Sequence, residues 1–139
     1  RKVNSSLELC RGYISSRTFS GNWVPQHIQN TIIRNYCNIN NLHYLLSSAE
    51  YSIENSYIVL KDIVSESKVI DGIVFYSIHQ LPSEQNYRNE LLKEVLLNKC
   101  LIYFCVEDKI VRDERGLDDL NTILEIHRVV SDLEPLSLK

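Results

Sequence analysis

The stretch Arg11–Asn30, RGYISSRTFSGNWVPQHIQN, decides how this chain is expected to fold. It starts in an apolar strand, passes through a polar turn that contains glycine, and enters a helix opened by Pro25. The turn and its borders are rich in side chains for which a packed core has little use: Ser15, Ser16, Arg17, Asn22, Gln26 and Asn30. Strand, turn and helix in this order predict the first unit of an α/β fold, with a binding site at the turn.

Four short apolar runs predict strands along the chain. They are LCRGYIS (9–15), LHYLLSS (42–48), DGIVFYSI (71–78) and CLIYFCVE (100–107). Three of the four are almost continuously apolar, which is typical of strands covered on both faces of a parallel sheet. Helical patterns separate them, at about 25–38, 56–65 and 83–98, and a short edge strand is predicted at 109–111. The predicted fold class is α/β, with three layers and a mostly parallel sheet of four to five strands.

Hydrophobic spacing predicts which helix faces are buried. In the first helix, apolar side chains recur at helical spacing and are expected to form the buried stripe: Ile28, Ile32, Tyr36 and Ile39. The end of the chain predicts an amphipathic helix at about 117–133, expected either to pack on the sheet or to mediate self-association as a homodimer. All 139 residues are expected to form a single domain.

Composition limits the classes of function. The formal charge of −3 and the sequence pI near 5.8 argue against a broad nucleic-acid footprint, so no nucleic-acid partner is expected. The sequence shows no apolar run of the roughly 18 residues that a membrane span needs, and no signal peptide pattern at its start. A cytoplasmic protein with no membrane partner is therefore expected.

The four cysteines and the short motifs give no sign of a metal or cofactor. Cys10, Cys37, Cys100 and Cys105 lie within apolar patterns without any CxxC pair, so we expect free buried thiols in a reducing compartment. HExxH and acidic metal-binding loops are missing, and so are GxGxxG and GxxxxGK[ST]. The sequence therefore predicts no metal site and no cofactor.

The predicted architecture locates a site. In open parallel sheets, ligands bind at the carboxyl ends of the strands, beside helix N-termini. Arg17, just before the first helix, suits a phosphate or a carboxylate because its guanidinium offers a fork of donors. The full set of predicted ligand-binding residues is Ser15, Ser16, Arg17, Asn22, Gln26, Asn30, Tyr51, Tyr76, Ser77 and Gln80.

His79 is the predicted acid or base of this site. It directly follows the third strand, and Glu50 or Glu107 is expected to orient it across the strand ends. A loop histidine without a chemical task explains His79 equally well. Ser15 and Ser16 are expected to cap backbone groups and not to act as nucleophiles, since no histidine is close to them in sequence.

Two family resemblances follow from these residues. GYISS, VPQHIQN, EY, DGIVFYS, LP and a strand ending in VE resemble, over about residues 10–111, the catalytic domain of serine recombinases of the resolvase and invertase type. That family's signature places an arginine two residues after an aromatic residue and the nucleophilic serine four residues after it. Counted from Tyr13, those places hold Ser15 and Arg17, and SIHQLP stands where the family has paired arginines. The resemblance therefore implies the layout without the chemistry.

The closer resemblance, over nearly the whole chain, is to the sporadic carbohydrate cluster proteins of bacteria. It is carried by RGYISSR, VPQHIQN, IRNYC, LHYLLSSAEY, DGIVFYS, LP and the VE after the fourth strand. This second resemblance implies a role in surface polysaccharide or unusual-sugar biosynthesis and supplies no catalytic residues. The expected partner is an anionic sugar, such as a sugar phosphate or a nucleotide sugar, bound at the strand ends. The alternatives are a non-catalytic scaffold in a carbohydrate-synthesising assembly and a DNA-acting relative of serine recombinases.

Overall fold

The computed structural model describes residues 7–16 and 23–137, with side chains described as far as residue 133. Arg17 and Asn22 lie outside the described residues. The described elements follow the predicted order: β1 (Glu8–Ile14), α1 (Gln26–Ile39), β2 (Leu42–Ala49), α2 (Ile58–Glu66), β3 (Gly72–Phe75), a 3-10 helix (Ile78–Gln80), α3 (Gln85–Leu97), β4 (Leu101–Phe104), β5 (Lys109–Val111) and α4 (Glu114–Ser137).

The strands form one five-stranded sheet in the order β2-β1-β3-β4-β5. The first four are parallel to their neighbours, and β5 is antiparallel to β4. Side chains alternate across β3, where Ile73 and Phe75 face the core formed with α2, α3 and α4, while Val74 faces the core formed with α1. The predicted α/β class and its three layers are confirmed, and the carboxyl ends of β1, β3 and β4 lie side by side.

Two strand glycines allow close contacts within the sheet. A Cβ atom on Gly12 would lie 2.2 Å from Ser47 Oγ, and one on Gly72 would lie 2.7 Å from the Tyr103 ring and 2.8 Å from Cys10 Sγ. Gly12 also stands where the pairing of β1 with β2 shifts register. Any larger side chain at either position would therefore push neighbouring strands or side chains apart.

The predicted buried stripe of α1 is wrong by one position except at Tyr36, which is half-buried and packs against the core on that side. The buried residues of this helix are Gln29, Ile33 and Cys37, whereas the exposed fractions of Ile28, Ile32 and Ile39 are 41%, 36% and 67%. Both rows keep helical spacing, so periodicity alone does not select between them. The backbone of Ser15 at the end of β1 hydrogen-bonds the Gln29 side chain. These bonds hold the face of α1 that carries Gln29 against the sheet.

The last helix is longer than predicted and is only half covered. Leu117 and Leu120 are buried in the core, whereas every described residue from 125 to 133 is exposed. In the part of the chain that the structure describes, no helix is both long and apolar enough to span a membrane. A cytoplasmic location stays a prediction.

The cysteines are free, as predicted. Cys10, Cys37 and Cys100 are buried and Cys105 is half-buried. Burial raises the pKa of Cys37 to about 11 and, more than the nearby charges do, that of Cys105 to about 12. Thiols with raised pKa values are poor nucleophiles, so these cysteines serve packing.

Candidate functional site at the strand ends

The carboxyl ends of β1, β3 and β4 gather the polar side chains that the sequence placed there. We call residues 14–16, 76–80 and 105–107 the strand-end rim. At its centre, Gln80 meets Gln29 of α1, and the exposed fractions of these two buried amides are 1% and 0%. Gln80 Nε2 donates to Gln29 Oε1 at 2.8 Å, which ties α1 to the segment that follows β3.

Backbone groups also bind both amides of this pair. Gln29 Nε2 donates to the carbonyls of Ser15 at 2.6 Å and Val24 at 2.8 Å, and its Oε1 also accepts from the Ser15 N–H at 3.1 Å. Gln80 Oε1 accepts from the N–H groups of Tyr76 at 2.9 Å and Ser77 at 3.4 Å. The rim centre is therefore occupied by neutral groups that bind one another and the backbone, and Gln80 is almost fully covered.

Sequence reasoning missed Gln29. The available signal was a lone glutamine in register with Ile33 and Cys37 on the second apolar row of α1. A polar residue in such a row indicates either an exposed face or a buried amide with dedicated partners. The partners belong to the β1 end and to the segment after β3, so the choice needed the tertiary structure.

The two rim serines that follow β1 differ in environment. The Ser15 side chain is 1% exposed, and its Oγ has no hydrogen-bond partner among the described residues. Ser16 is half-buried, and its Oγ lies 3.0 Å from Ser52 Oγ. Neither hydroxyl bonds a histidine or a carboxylate within the described part of the chain, so the described geometry holds no activated nucleophile at these two positions.

Glu50 is a fully engaged carboxylate at the start of α2. Although its side chain is only 3% exposed, it accepts five hydrogen bonds, each between 2.9 and 3.2 Å. Its donors are the Tyr13 and Ser56 hydroxyls and the N–H groups of Tyr51, Val59 and Leu60. Burial raises the pKa of this carboxyl, but the hydrogen bonds outweigh burial and hold it below its ordinary value. Glu50 thus stays ionised and anchors the N-terminus of α2.

Glu107 has a similar anchoring place at the end of β4. It accepts from Ser77 Oγ at 2.7 Å and from the N–H of Ile78 at 3.0 Å. Ser77 in turn accepts from the N–H of His79 at 3.2 Å and caps the 3-10 helix. The carboxylate therefore fixes the backbone that carries His79.

His79 has a partner that the sequence did not indicate. Its Nε2 lies 3.1 Å from Nδ1 of His127 on α4, and the two rings stack with centroids 5.0 Å apart. Burial lowers the pKa of His79, the nearby His127 lowers it further, and Glu107 opposes both. No hydrogen bond joins His79 to Glu50 or Glu107 within the described residues, so an acid and base pair between them stays a prediction.

The other predicted site residues are spread around the rim. The Tyr44 hydroxyl donates to Asn30 Oδ1, Gln26 and Tyr76 are half-buried, and Tyr51 is 57% exposed. Among the residues that the structure describes, no group of three or more His, Cys, Asp or Glu side chains is arranged to hold a metal ion. The ligand-binding roles assigned from the sequence stay predictions.

Comparison with known proteins finds no matching family model and no matching curated protein. Solved structures do match over about nine-tenths of the chain. The N-terminal catalytic domain of TP901-1 integrase is 15% identical, with 90% of this chain and 96% of that chain covered and a TM-score of 0.60. A resolvase family site-specific recombinase from Streptococcus pneumoniae is 10% identical, with 91% and 93% covered and a TM-score of 0.60.

These matches correct the functional expectation. Surface-carbohydrate biosynthesis, the sugar or nucleotide-sugar partner and the exclusion of nucleic acid are contradicted, because the matching structures are an integrase and a recombinase. The chain has the fold of resolvase-like catalytic domains.

Proposed function

We propose that this chain is a non-cleaving domain of recombinase fold that works in an assembly acting on DNA. The matching proteins are a site-specific recombinase and the catalytic domain of an integrase, and both cover at least nine-tenths of this chain. The observation that carries the non-cleaving part is the buried Gln29–Gln80 amide pair at the rim centre.

Serine-mediated cleavage of a phosphodiester needs an accessible nucleophile and cations that stabilise the charge of the transition state. Two residues after Tyr13, where the resemblance places an arginine, the chain has Ser15 with a buried hydroxyl. In the segment after β3, where paired arginines belong, it has the buried neutral Gln80. Neutral amides that already bind one another supply neither a nucleophile nor a cation.

Arg17 is the proposed contact to the DNA backbone. It occupies the place of the recombinase serine, four residues after Tyr13. A guanidinium there suits a phosphate oxygen but cannot attack phosphorus. The sequence suggested an anionic partner at this turn, and the proposed anion is now a DNA phosphate.

DNA binding is tested by fluorescence anisotropy with a labelled duplex between 50 and 200 mM salt. We expect affinity to fall with salt, and Arg17→Ala to reduce the slope of log K against log salt by about 1, the value of one phosphate contact. Arg115→Ala, an exposed arginine on α4, is the matched control and should leave the slope unchanged. If the duplex does not bind at 50 mM salt, or if its affinity does not change between 50 and 200 mM, the DNA assignment is refuted.

The non-cleaving part is tested separately with supercoiled plasmid. We expect neither nicks nor a covalent protein–DNA adduct after denaturing electrophoresis. A persistent adduct would overturn this part of the proposal, and its loss in Ser16→Ala would then place the nucleophile at Ser16, the half-buried rim serine.

Self-association through α4 is part of the same proposal. Four apolar side chains recur there at helical spacing and are each more than 40% exposed: Ile126, Val129, Val130 and Leu133. A row with the spacing i, i+3, i+4 and i+7 on an uncovered helix is suited to pair with a second copy of the same row.

A further inference from the structure

The contact between His79 and His127 connects two parts of the fold that are 48 residues apart in sequence. His79 lies on the 3-10 helix after β3, and His127 lies on α4 beyond its buried residues Leu117 and Leu120. Among the described residues, this is the last hydrogen bond along α4 that reaches another element. We call the pair the histidine clasp.

The protonation state of the two rings decides whether the clasp can form. A neutral imidazole offers one N–H donor and one acceptor nitrogen, while a protonated ring offers two donors. The Nε2 to Nδ1 contact at 3.1 Å therefore needs at least one neutral ring. With both rings protonated, two N–H groups face each other and two positive charges lie 5.0 Å apart between ring centroids.

Solvent can reach the clasp. Both rings line a cavity of about 460 Å³ between α4 and the segment that follows the 3-10 helix, whose wall also includes Leu81, Pro82 and Leu124. A space of this size holds several water molecules, so protons can exchange with the rings without unfolding of the core.

Three carboxylates and two guanidinium groups surround the clasp. Those facing it are Glu107 from the end of β4, Arg88 from α3, and Glu125, Arg128 and Asp132 from α4. Arg128 is paired with Glu125 at 2.6 Å and with Asp132 at 3.1 Å, so these three neutralise one another in part. Glu107 is already bound by two rim donors. The surroundings therefore leave no unpaired carboxylate in direct contact to hold a doubly protonated clasp together.

We infer that the histidine clasp is a pH-sensitive latch that holds the middle of α4 against the strand-end rim and opens when both rings are protonated. Opening frees the part of α4 that carries Ile126, Val129, Val130 and Leu133 to change its angle to the domain. The latch thereby couples mildly acidic pH to the geometry of the exposed apolar row, whatever that row binds.

Hydrogen–deuterium exchange of the full chain at pH 7.5 and pH 5.0, with exchange times corrected for the intrinsic chemical rate, tests this inference. We expect protection of peptides covering residues 121–131 to fall about tenfold at pH 5.0. Peptides covering the start of α2 are the internal control, because the Glu50 carboxyl that anchors it has a pKa below its ordinary value and stays ionised at both pH values.

Variants separate the latch from a general effect of acid. His127→Phe keeps a ring for stacking but cannot titrate, so α4 protection should become independent of pH. His27→Phe changes an exposed histidine of α1 and should keep the wild-type response. An unchanged acid response in His127→Phe, or pH-independent protection in the wild type, would overturn the inference.

If His127→Phe lowers the helical circular dichroism signal, the ¹⁵N imidazole spectrum of the wild-type protein decides. The latch predicts that the His79 ring signal and the α4 amide signals change over the same pH range. Titration of His79 without any change in α4 would refute the latch.

Discussion

Gln80 and His79 are neighbours in sequence and share one 3-10 helix, yet they form opposite kinds of contact. The Gln80 amide is 1% exposed and bonds Gln29 and the backbone at the rim centre. The His79 ring is half-buried beside an open cavity and bonds His127 on α4. One interaction is permanent at any ordinary pH, because amides do not titrate, whereas the other depends on protonation.

The difference shows how the end of one strand combines a contact that stabilises the fold at any ordinary pH with a contact that depends on pH. Hydrogen bonds among buried polar groups are strong in a low-dielectric interior, and the amide pair is held by its own bond and by bonds to the backbone. A titrating pair must stay near solvent, since full burial would suppress its charged form. The rim thus keeps its fixed polar groups inside and its titratable pair at the outer edge.

The largest expected effect concerns the buried polar groups whose hydrogen bonds do not depend on a histidine. Glu50→Ala leaves several buried donors without an acceptor at the start of α2, so the free energy of unfolding should fall by about 3 kcal/mol or more. Urea unfolding measures it, with Glu54→Ala, an exposed carboxylate nearby, as the control that should change little. A loss below 1 kcal/mol would show that solvent or a rearranged backbone takes over from Glu50.

Gln80→Leu tests the amide pair itself. It removes the donor to Gln29 Oε1 and the oxygen that accepts from the Tyr76 and Ser77 N–H groups, so we expect a loss of about 2 kcal/mol in the free energy of unfolding. Gln85→Leu, at an exposed position of α3, is the matched control. If Gln29→Leu and Gln80→Leu lower stability additively in the double variant, the two amides do not act as a unit.

For His79 we expect a smaller effect on the free energy of unfolding, and this effect depends on pH. The pKa of His79 is lowered in the folded protein, mainly by burial, so the unfolded chain binds a proton first as pH falls. The contribution to stability is complete above the ordinary histidine value of about 6.5 and is lost as pH falls through the folded value. Denaturant unfolding at pH 7.5 and pH 5.0 should show a smaller decrease for His79→Phe than for the wild type; equal decreases would remove His79 from the explanation.

The smallest effect on stability is expected for a substitution in the exposed apolar row of α4. The same substitution should have a large effect on self-association. Val130→Asp places a charge in the exposed apolar row and should shift sedimentation toward the monomer, while the free energy of unfolding changes by less than about 0.5 kcal/mol. Ser131→Asp adds the same charge at the neighbouring exposed position and should leave association unchanged. Equal behaviour of the two variants would contradict pairing through this row.

The site was only partly predictable from the sequence. Strand ends in a parallel sheet meet at one edge, so the gathering of Ser15, Ser77, Gln80 and Glu107 could be predicted from the order of elements. Which elements these side chains tie together could not be predicted, because the long-range bonds join residues that are far apart in sequence. Gln29 reaches Gln80 across 51 residues and His127 reaches His79 across 48 residues.

The sequence by itself determined the α/β class, the order of the elements and the edge at which polar groups gather, because apolar runs, helical spacing and turn residues act locally. The tertiary structure decided the buried face of α1, the anchoring work of Glu50 and the pairing of the two histidines. Two rows of α1 have equivalent spacing, and only the backbone at the end of β1 offers partners that draw Gln29 inward. Long-range hydrogen bonds select among faces that local periodicity leaves equal.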